Sequence, residues 1–153
     1  MIRTETEYQA AVKQLREQES RLRGEEQELR ELKLSKAEIK RGLDPQRTFH
    51  EQIKQEVESY ERLKRGEFYE LHNLQGVGRM LIALRIFQGL TQRELADALA
   101  VHETQVSRDE KNEYHGITVE RASRILETLG VDVVSAVENV RRLKDTGQEA
   151  TKA

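Results

Sequence analysis

The side chains best suited to chemistry in this chain lie between Thr91 and Tyr114, and they suit recognition of a polar surface. The run from Glu103 to Arg108 carries carboxylate, hydroxyl, amide and guanidinium groups, and its one strongly apolar residue is Val106. A helix with one apolar residue facing inward presents its other side chains to a wet partner. Hydrogen-bonding groups on such a helix are those that read base edges in the major groove of DNA.

Two short helices must position that run. Thr91 and Glu94 form a Thr-x-x-Glu capping box, in which the hydroxyl and the carboxylate each satisfy a backbone N–H at the helix start. Leu95 and Leu99 give this first helix an apolar face. A turn of two residues separates it from a second helix that begins near His102. The spacing therefore predicts a helix-turn-helix unit.

At these residues the chain resembles the helix-turn-helix family of the phage repressors and Cro proteins, also called the XRE family. The family signature runs Gly-Leu-Thr-Gln-x-x-Leu-Ala, followed by a turn and a recognition helix. The end of the motif looks closest to antitoxins of the host-inhibition-of-growth type, which also carry Glu at the start of the recognition helix and a later Glu-Tyr pair. The resemblance covers about residues 73 to 131. The matching residues are Gly89, Leu90, Thr91, Gln92, Leu95, Ala96, Glu103, Glu113 and Tyr114.

Two positions depart from the family pattern. Ala100 stands at the turn position that usually holds Gly, where a left-handed backbone costs a residue with a Cβ about 1 kcal/mol. Asp109 stands where an aromatic residue often precedes Glu110, so an apolar contact is lost.

The resemblance, together with the side of the helix opposite Val106, predicts a set of DNA contacts. Positions 103, 104 and 108 are those at which the family reads bases, and Arg108 suits a bidentate contact to guanine. A salt bridge to a nearby carboxylate is the alternative for Arg108, and an ordinary solvated side chain is the alternative for Gln92. Base contacts are predicted for Glu103, Thr104, Gln105 and Arg108, and phosphate contacts for Gln92, Lys111 and Asn112.

Ahead of this motif, caps and apolar spacing predict a long helical hairpin. Thr4 and Glu7 form a capping box that opens a helix running to about Arg41. The segment Gly42–Pro45 is predicted to end it and to start a second helix that closes near Gly66, because Gly suits a helix end whereas Asp and Pro suit a start. So short a turn makes the two helices antiparallel.

A hairpin of about 65 residues buries too little apolar surface to be stable alone, so we expect it to pack on a second copy. Its leucines recur at intervals of seven, as in half of a coiled-coil seam, although a solvated helix that pairs with its neighbour only at its ends fits them equally. The rival dimer interface is a stripe of valines on the last predicted helix. The hairpin interface comprises Leu15, Leu22, Leu29, Phe49, Ile53 and Val57, and the stripe comprises Val133, Val134, Val137 and Val140.

The predicted fold class is all-α, with the hairpin followed by a five-helix repressor-like domain. The predicted division is a hairpin for dimerisation or partner binding at 1–66, a DNA-binding domain at 72–144 and a flexible tail at 145–153. Helices of the domain are expected at 74–88, 92–99, 103–111, 119–129 and 133–144. Its core is expected to contain Met80, Leu81, Leu84, Ile86, Leu90, Leu95, Leu99, Val106, Ile117, Ala122, Ile125, Leu126 and Leu129.

Charge is the main argument against DNA binding. The formal net charge is −2, and the segment from His102 to His115 carries two basic residues against four acidic ones. A nucleic-acid binder often shows a basic patch. Helix starts and neutral side chains also hold phosphates, so the acidic balance lowers the expected affinity and salt dependence without excluding the function.

Composition and motifs argue against several other classes of protein, namely disulfide-linked proteins, membrane proteins, metalloproteins and enzymes. The absence of cysteine excludes disulfides and thiolate catalysis and fits a reducing cytosol. No segment approaches the ~20 apolar residues of a membrane span, so a soluble, cytoplasmic protein is expected. The four histidines lack metal-ligand spacing, and Gly76-Val-Gly78 is interpreted as a turn or a close helix contact. No enzyme activity, cofactor or metal is predicted.

The sequence therefore favours a sequence-specific DNA-binding regulator of the XRE type that binds double-stranded DNA as a homodimer. Its simplest mode of action is that of a repressor that occludes a promoter. Two other classes remain open. One is an antitoxin whose hairpin masks a toxin protein and whose DNA binding serves autoregulation. The other is a structural coiled-coil adaptor with a degenerate helix-turn-helix.

Overall fold

The computed structural model describes residues 1–68 and 70–137, and every regular secondary-structure element among these residues is a helix. The predicted all-α class is confirmed, as is the order of a long helical pair followed by a helix-turn-helix region. No helix in these residues is long and apolar enough to cross a membrane. The described helices are α1 (Glu5–Glu31), α2 (Lys36–Lys64), α3 (Val77–Phe87), α4 (Gln92–Ala98), α5 (Glu103–Lys111) and α6 (Val119–Thr128).

The turn of the hairpin lies at residues 32–35, and the predicted boundary at Gly42–Pro45 is wrong. The chain reverses where Lys33 takes a left-handed φ of 58°. A capping box that sequence reasoning overlooked then opens α2, because Ser35 Oγ accepts from the Glu38 N–H at 3.3 Å and Glu38 Oε2 accepts from the Ser35 N–H at 2.9 Å. These reciprocal bonds satisfy two orphan donors and fix the helix start.

Pro45 lies inside α2 rather than at a helix start. Its missing N–H leaves the carbonyl of Arg41 without its helical donor, and its ring crowds the same carbonyl. The helix continues because apolar side chains on both sides of this point are buried, with Leu43 before it and Val57 after it. Packing of an amphipathic face therefore outweighs a local penalty of about 3 kcal/mol.

The two long helices pack antiparallel, as predicted, along a seam with few buried side chains. The rings of Tyr8 and Tyr60 stack with their centroids 5.0 Å apart near the base of the hairpin. Closer to the turn, Arg47 Nη2 lies 3.0 Å from Glu26 Oε2. None of the 27 residues of α1 is buried. The apolar residues between the two helices are therefore only partly covered.

The base of the hairpin shares one hydrophobic core with α3–α6. Ile2, Val57, Tyr60 and Leu63 are buried in the same cluster as the apolar residues of the C-terminal helices. Every residue predicted for the C-terminal core lies in this cluster or packs against it. The helix-turn-helix region is consequently braced by the end of the hairpin.

Four of the five predicted C-terminal helices are present. The predicted fifth, at 133–144, is not helical over residues 133–137, and its remainder lies outside the described residues, as does the predicted tail at 145–153. The run Val-Asp-Val-Val is rich in β-branched side chains, which lose χ1 freedom in a helix. Val134 and Val137 are 92% and 83% exposed.

Candidate nucleic-acid interface

Caps and a cross-helix bond set the geometry of the turn between α4 and α5. The predicted capping box is confirmed, since Thr91 Oγ1 accepts from the Glu94 N–H at 3.1 Å and Glu94 Oε2 accepts from the Thr91 N–H at 2.7 Å. Ala100 takes a left-handed φ of 54° in spite of its Cβ. Arg124 Nη2 donates to the carbonyl of Leu99 at 3.0 Å, which ties the end of α4 to α6.

One face of α5 is buried and the other is open. Val106 faces inward, as predicted, and Glu110 one turn later is also fully buried. The side chains that the sequence assigned to base reading lie away from this face. They are Glu103, Thr104, Gln105 and Arg108, and all four are exposed.

Two predicted contact residues use part of their amide groups within the protein. Gln92 is half-buried, and its Nε2 donates to Glu110 Oε2 at 2.9 Å. Gln105, in the amide orientation that satisfies both groups, accepts from the two terminal guanidinium nitrogens of Arg121 at 2.9 and 3.0 Å. Gln105 then keeps its NH₂ group for a partner, and Gln92 keeps its carbonyl oxygen and one amide hydrogen.

The two basic residues of α5 have no carboxylate partner among the described residues. Arg108 and Lys111 are exposed, and no ion pair joins either to a described acidic side chain, so the salt bridge that was the alternative for Arg108 does not form there. Asn112 is exposed at the C-terminal cap of α5. Thr104 Oγ1 lies 3.0 Å from Nδ1 of His102, the residue that caps α5.

A buried ion pair fixes α5 against α3. Arg85 Nε and Nη2 donate to the two carboxylate oxygens of Glu110 at 2.5 and 2.7 Å. The same guanidinium donates to the carbonyls of Leu90 at 2.7 Å and Arg3 at 2.9 Å. Sequence reasoning missed this pair. The available signal was an arginine inside the apolar run 81–86 and a carboxylate four residues after Val106, on the same helix face.

Arginines from other elements neutralise most of the acidic charge near α5. Arg121 Nη2 donates to Asp109 Oδ2 at 2.5 Å, and Arg79 Nε donates to Glu113 Oε2 at 2.8 Å. With the buried pair, three of the four carboxylates that make the motif acidic are held by arginines, and Glu103 is the fourth. The Asp109 departure from the family pattern thus exchanges an apolar contact for an ion pair.

The Gly76-Val-Gly78 segment forms both a turn and a close helix contact, which agrees with its interpretation from sequence. Gly76 has a φ of 82° immediately before α3. At Gly78 an added Cβ would overlap the carbonyl oxygen of Glu113. The backbone that follows α5 therefore rests directly on the start of α3.

Comparison with known proteins identifies one matching domain. Residues 81–134 match the helix-turn-helix family model HTH_3, so the match begins within α3, contains α4, the turn and α5, and ends beyond α6. No curated protein and no solved structure matches the chain. Within the described residues, no three histidine or acidic side chains are grouped so as to hold a metal ion.

Proposed function

Residues 81–134 form a helix-turn-helix domain of the XRE family, the domain of DNA-binding transcription regulators, and on this premise we propose that the protein is a sequence-specific repressor that binds its operator as a homodimer. The observation that carries the proposal is the exposed face of α5. That face presents hydroxyl, amide and guanidinium groups while its buried face is locked to α3 by Arg85 and Glu110. A rigid helix with free donors suits direct base readout.

Arg108 is the main base-reading residue of the proposal. Its guanidinium is exposed and has no described carboxylate partner, so its fork is available to the O6 and N7 acceptors of guanine. Thr104 and the NH₂ group of Gln105 reach neighbouring base edges. Glu103 accepts only from a donor such as the N4 amine of cytosine, which makes it a residue that rejects other bases.

Phosphate contacts hold the helix in register. Lys111 and Asn112 lie where the chain leaves α5, and Gln92 lies at the start of α4 with part of its amide unused. These groups carry no sequence information themselves. Two copies of the domain would enter successive major grooves about 34 Å apart and block a promoter by occupying it.

Substitution of Arg108 tests the proposal. Arg108→Ala should weaken binding to the chain's own upstream region by about 1–3 kcal/mol while changing binding to scrambled duplexes far less. Lys111→Ala should weaken both duplexes alike, because it removes a phosphate contact. The matched control is Arg23→Ala, an exposed arginine on the hairpin. Competition assays at two fixed salt concentrations separate these effects.

Gln92→Ala should also weaken all duplexes alike, but it removes the bond to Glu110 as well, so its thermal unfolding must be measured beside its affinity. Unaltered DNA binding by folded Arg108→Ala and Lys111→Ala proteins would contradict the proposed reading surface.

The antitoxin role is a second candidate, favoured by the tip of the hairpin. Leu32 is 71% exposed and Leu34 is 38% exposed, on a turn far from the helix-turn-helix domain. Exposed leucines of this kind suit a protein partner. Growth of cells that express an adjacent short reading frame, with and without this chain, tests the role. Rescue that is lost in Leu32→Ser, while DNA binding is kept, would support masking by the tip.

A further inference from the structure

The middle of the hairpin has almost no buried side chains, although its two helices are long. α1 has no buried residue in 27, and α2 has none between Leu43 and Val57. The apolar side chains in this stretch are left partly open, with Leu15, Leu22 and Ile53 half-buried and Phe49 47% exposed. Two helices alone cannot close around such a seam, because each covers only one side of the other.

Two buried polar atoms lie in the same stretch. Gln18 Oε1 and His50 Nδ1 have no hydrogen-bond partner among the described residues. Tyr8 stacks on Tyr60, so ten residues further along the two antiparallel helices Gln18 falls opposite His50. A buried polar group without a partner destabilises the state that contains it, so this layer favours a state that supplies one.

We propose that a second copy of the chain packs on this seam, antiparallel to the first, with the twofold axis near the Gln18–His50 layer. The two hairpins then form a four-helix bundle, and the half-covered leucines and Phe49 become its core. Each copy also brings its own Gln18 and His50 side chains near the axis, where a change of rotamer turns their amide and ring groups outward into self-complementary pairs.

The charges on the hairpin favour a second copy of the chain over a strongly acidic or strongly basic partner. Residues 14–26 carry three basic and four acidic side chains, and residues 42–54 carry two of each. A face so nearly balanced does not repel itself when a twofold axis brings it against its own image. This face carries no excess of opposite charge that would attract a strongly acidic or basic partner.

The axis position also suits the proposed DNA function, on which this inference rests. From the Gln18–His50 layer to the base at Thr4 and Lys64 is 14 residues on each helix, or about 21 Å at 1.5 Å per residue. A twofold axis at that layer places the two hairpin bases about 40 Å apart. The two helix-turn-helix domains then lie at opposite ends of the bundle, with a separation of the same order as the ~34–36 Å between successive major grooves on one side of DNA.

Sedimentation of the full chain tests the interface. We expect a dimer at micromolar concentration, with Phe49→Glu raising the dimer dissociation constant at least about tenfold while helicity is retained. The matched controls are Leu32→Glu at the hairpin tip and Val134→Glu on the rival valine stripe, and both should remain dimeric. A folded Phe49→Glu dimer of unchanged affinity, a monomeric parent chain, or dissociation by Val134→Glu alone would overturn the proposal.

Cross-linking tests the antiparallel direction, because the chain has no cysteine of its own. Phe49→Cys lies beside the axis and should link to its copy through a short bismaleimide. Leu32→Cys lies about 21 Å from the layer on each hairpin and should not link. Linking of both variants would show a parallel pair, and linking of neither would show that the seam is not the interface.

These measurements are independent of DNA binding. A dimer with the predicted cross-link that ignores its upstream DNA would retain the bundle and refute the proposed function. A monomer that binds one half-site with Arg108-dependent specificity would retain the function and refute the bundle.

Discussion

The hairpin and the helix-turn-helix region divide the burial of this protein very unequally. α3 has 11 residues and seven of them are buried, whereas α1 has 27 residues and none is buried. Local sequence contributes to the difference, because α3 contains the buried run 81–86, in which Arg85 is the one polar residue, whereas α1 is mostly charged with a narrow apolar stripe. The number of neighbouring helices contributes as well, because α3 contacts α2, α5 and α6 while α1 has extensive contacts with α2 alone. A helix packed on one side keeps surface for a partner.

Their ion pairs follow the same division. Arg85 and Glu110 are 3% and 0% exposed, and a single guanidinium there satisfies a carboxylate and two carbonyls. On α1, Arg23 and Glu19 are 78% and 53% exposed and are spaced i, i+4. Water screens the Arg23–Glu19 pair but cannot reach the Arg85–Glu110 pair. The two arginine–glutamate pairs should therefore have unequal effects on the free energy of unfolding.

The largest expected effect comes from removing one member of the buried pair. Glu110→Ala leaves a guanidinium buried without its counterion and should lower the free energy of unfolding by about 3–5 kcal/mol. Arg85→Met combined with Glu110→Leu should recover most of that loss. Glu19→Ala on the hairpin should change it by less than about 0.5 kcal/mol. Urea denaturation measures all three, and similar losses from Glu110→Ala and Glu19→Ala would erase the contrast between the regions.

The next effect comes from the backbone of the hairpin. Pro45→Ala restores a helical hydrogen bond to the carbonyl of Arg41 and removes a steric clash, so α2 should gain about 1–3 kcal/mol. Circular dichroism during thermal unfolding measures the change. Asp44→Ala, next to it on the same exposed turn, is the control for composition. A lower melting temperature for Pro45→Ala would mean that the seam depends on the irregularity at Pro45.

Alkaline pH should act on both regions through their buried phenols. Burial, with Glu5 nearby, raises the pKa of Tyr60 from 10.0 to about 12, and burial with Glu110 and Asp109 raises the pKa of Tyr114 further. The unfolded chain then loses these protons first, so stability present below pH 10 should fall as pH rises toward 12 and beyond. Tyr60→Phe and Tyr114→Phe should each make this decline shallower above pH 10, because each removes one phenol whose pKa is higher in the folded than in the unfolded chain. Denaturation curves between pH 8 and 12 that are parallel for all three proteins would contradict the assignment.

The smallest effects concern one strained turn in each region. Ala100 has a φ of 54° and Lys33 a φ of 58°, both in the left-handed region that disfavours a Cβ. Ala100→Gly and Lys33→Gly should each stabilise the protein by about 0.5–1 kcal/mol. Equal gains in a single unfolding transition would show that the hairpin and the core unfold together. A gain confined to an early transition in Lys33→Gly would show that the hairpin opens first.

The helix-turn-helix region could be predicted well because several local signals agree there. The Thr91 capping box, the inward direction of Val106 and the complete predicted core are all present in the structure. The buried Arg85–Glu110 pair escaped because charged residues read from sequence are assigned to solvated faces by default. Which side chains touch DNA remains a prediction, since burial shows only which of them are free to do so.

The hairpin was predicted in kind but not in register. Gly42, Asp44 and Pro45 carry strong local signals for a helix boundary, yet the boundary falls at Ser35. The Ser35–Glu38 capping box is a local signal that was overlooked, and which of the two boundaries forms depends on how α2 packs against α1 on both sides of Pro45. Such packing involves residues far apart in the chain, which one-dimensional patterns do not weigh. The helix predicted from residue 133 was wrong over residues 133–137 for a different reason. The prediction gave the apolar spacing of the valines more weight than their poor helix propensity.

The close approach at Gly78 also limits how this sequence can diverge. A side chain at position 78 would strike the carbonyl of Glu113 and push the backbone that follows α5 away from α3, whereas Gly24 on the hairpin has no neighbour within 4 Å of an added Cβ. A library of random substitutions selected for a folded chain should therefore accept only glycine at position 78 and nearly any residue at position 24. The two glycines would differ sharply in mutational tolerance, and that difference would mark where the fold leaves no room for a side chain.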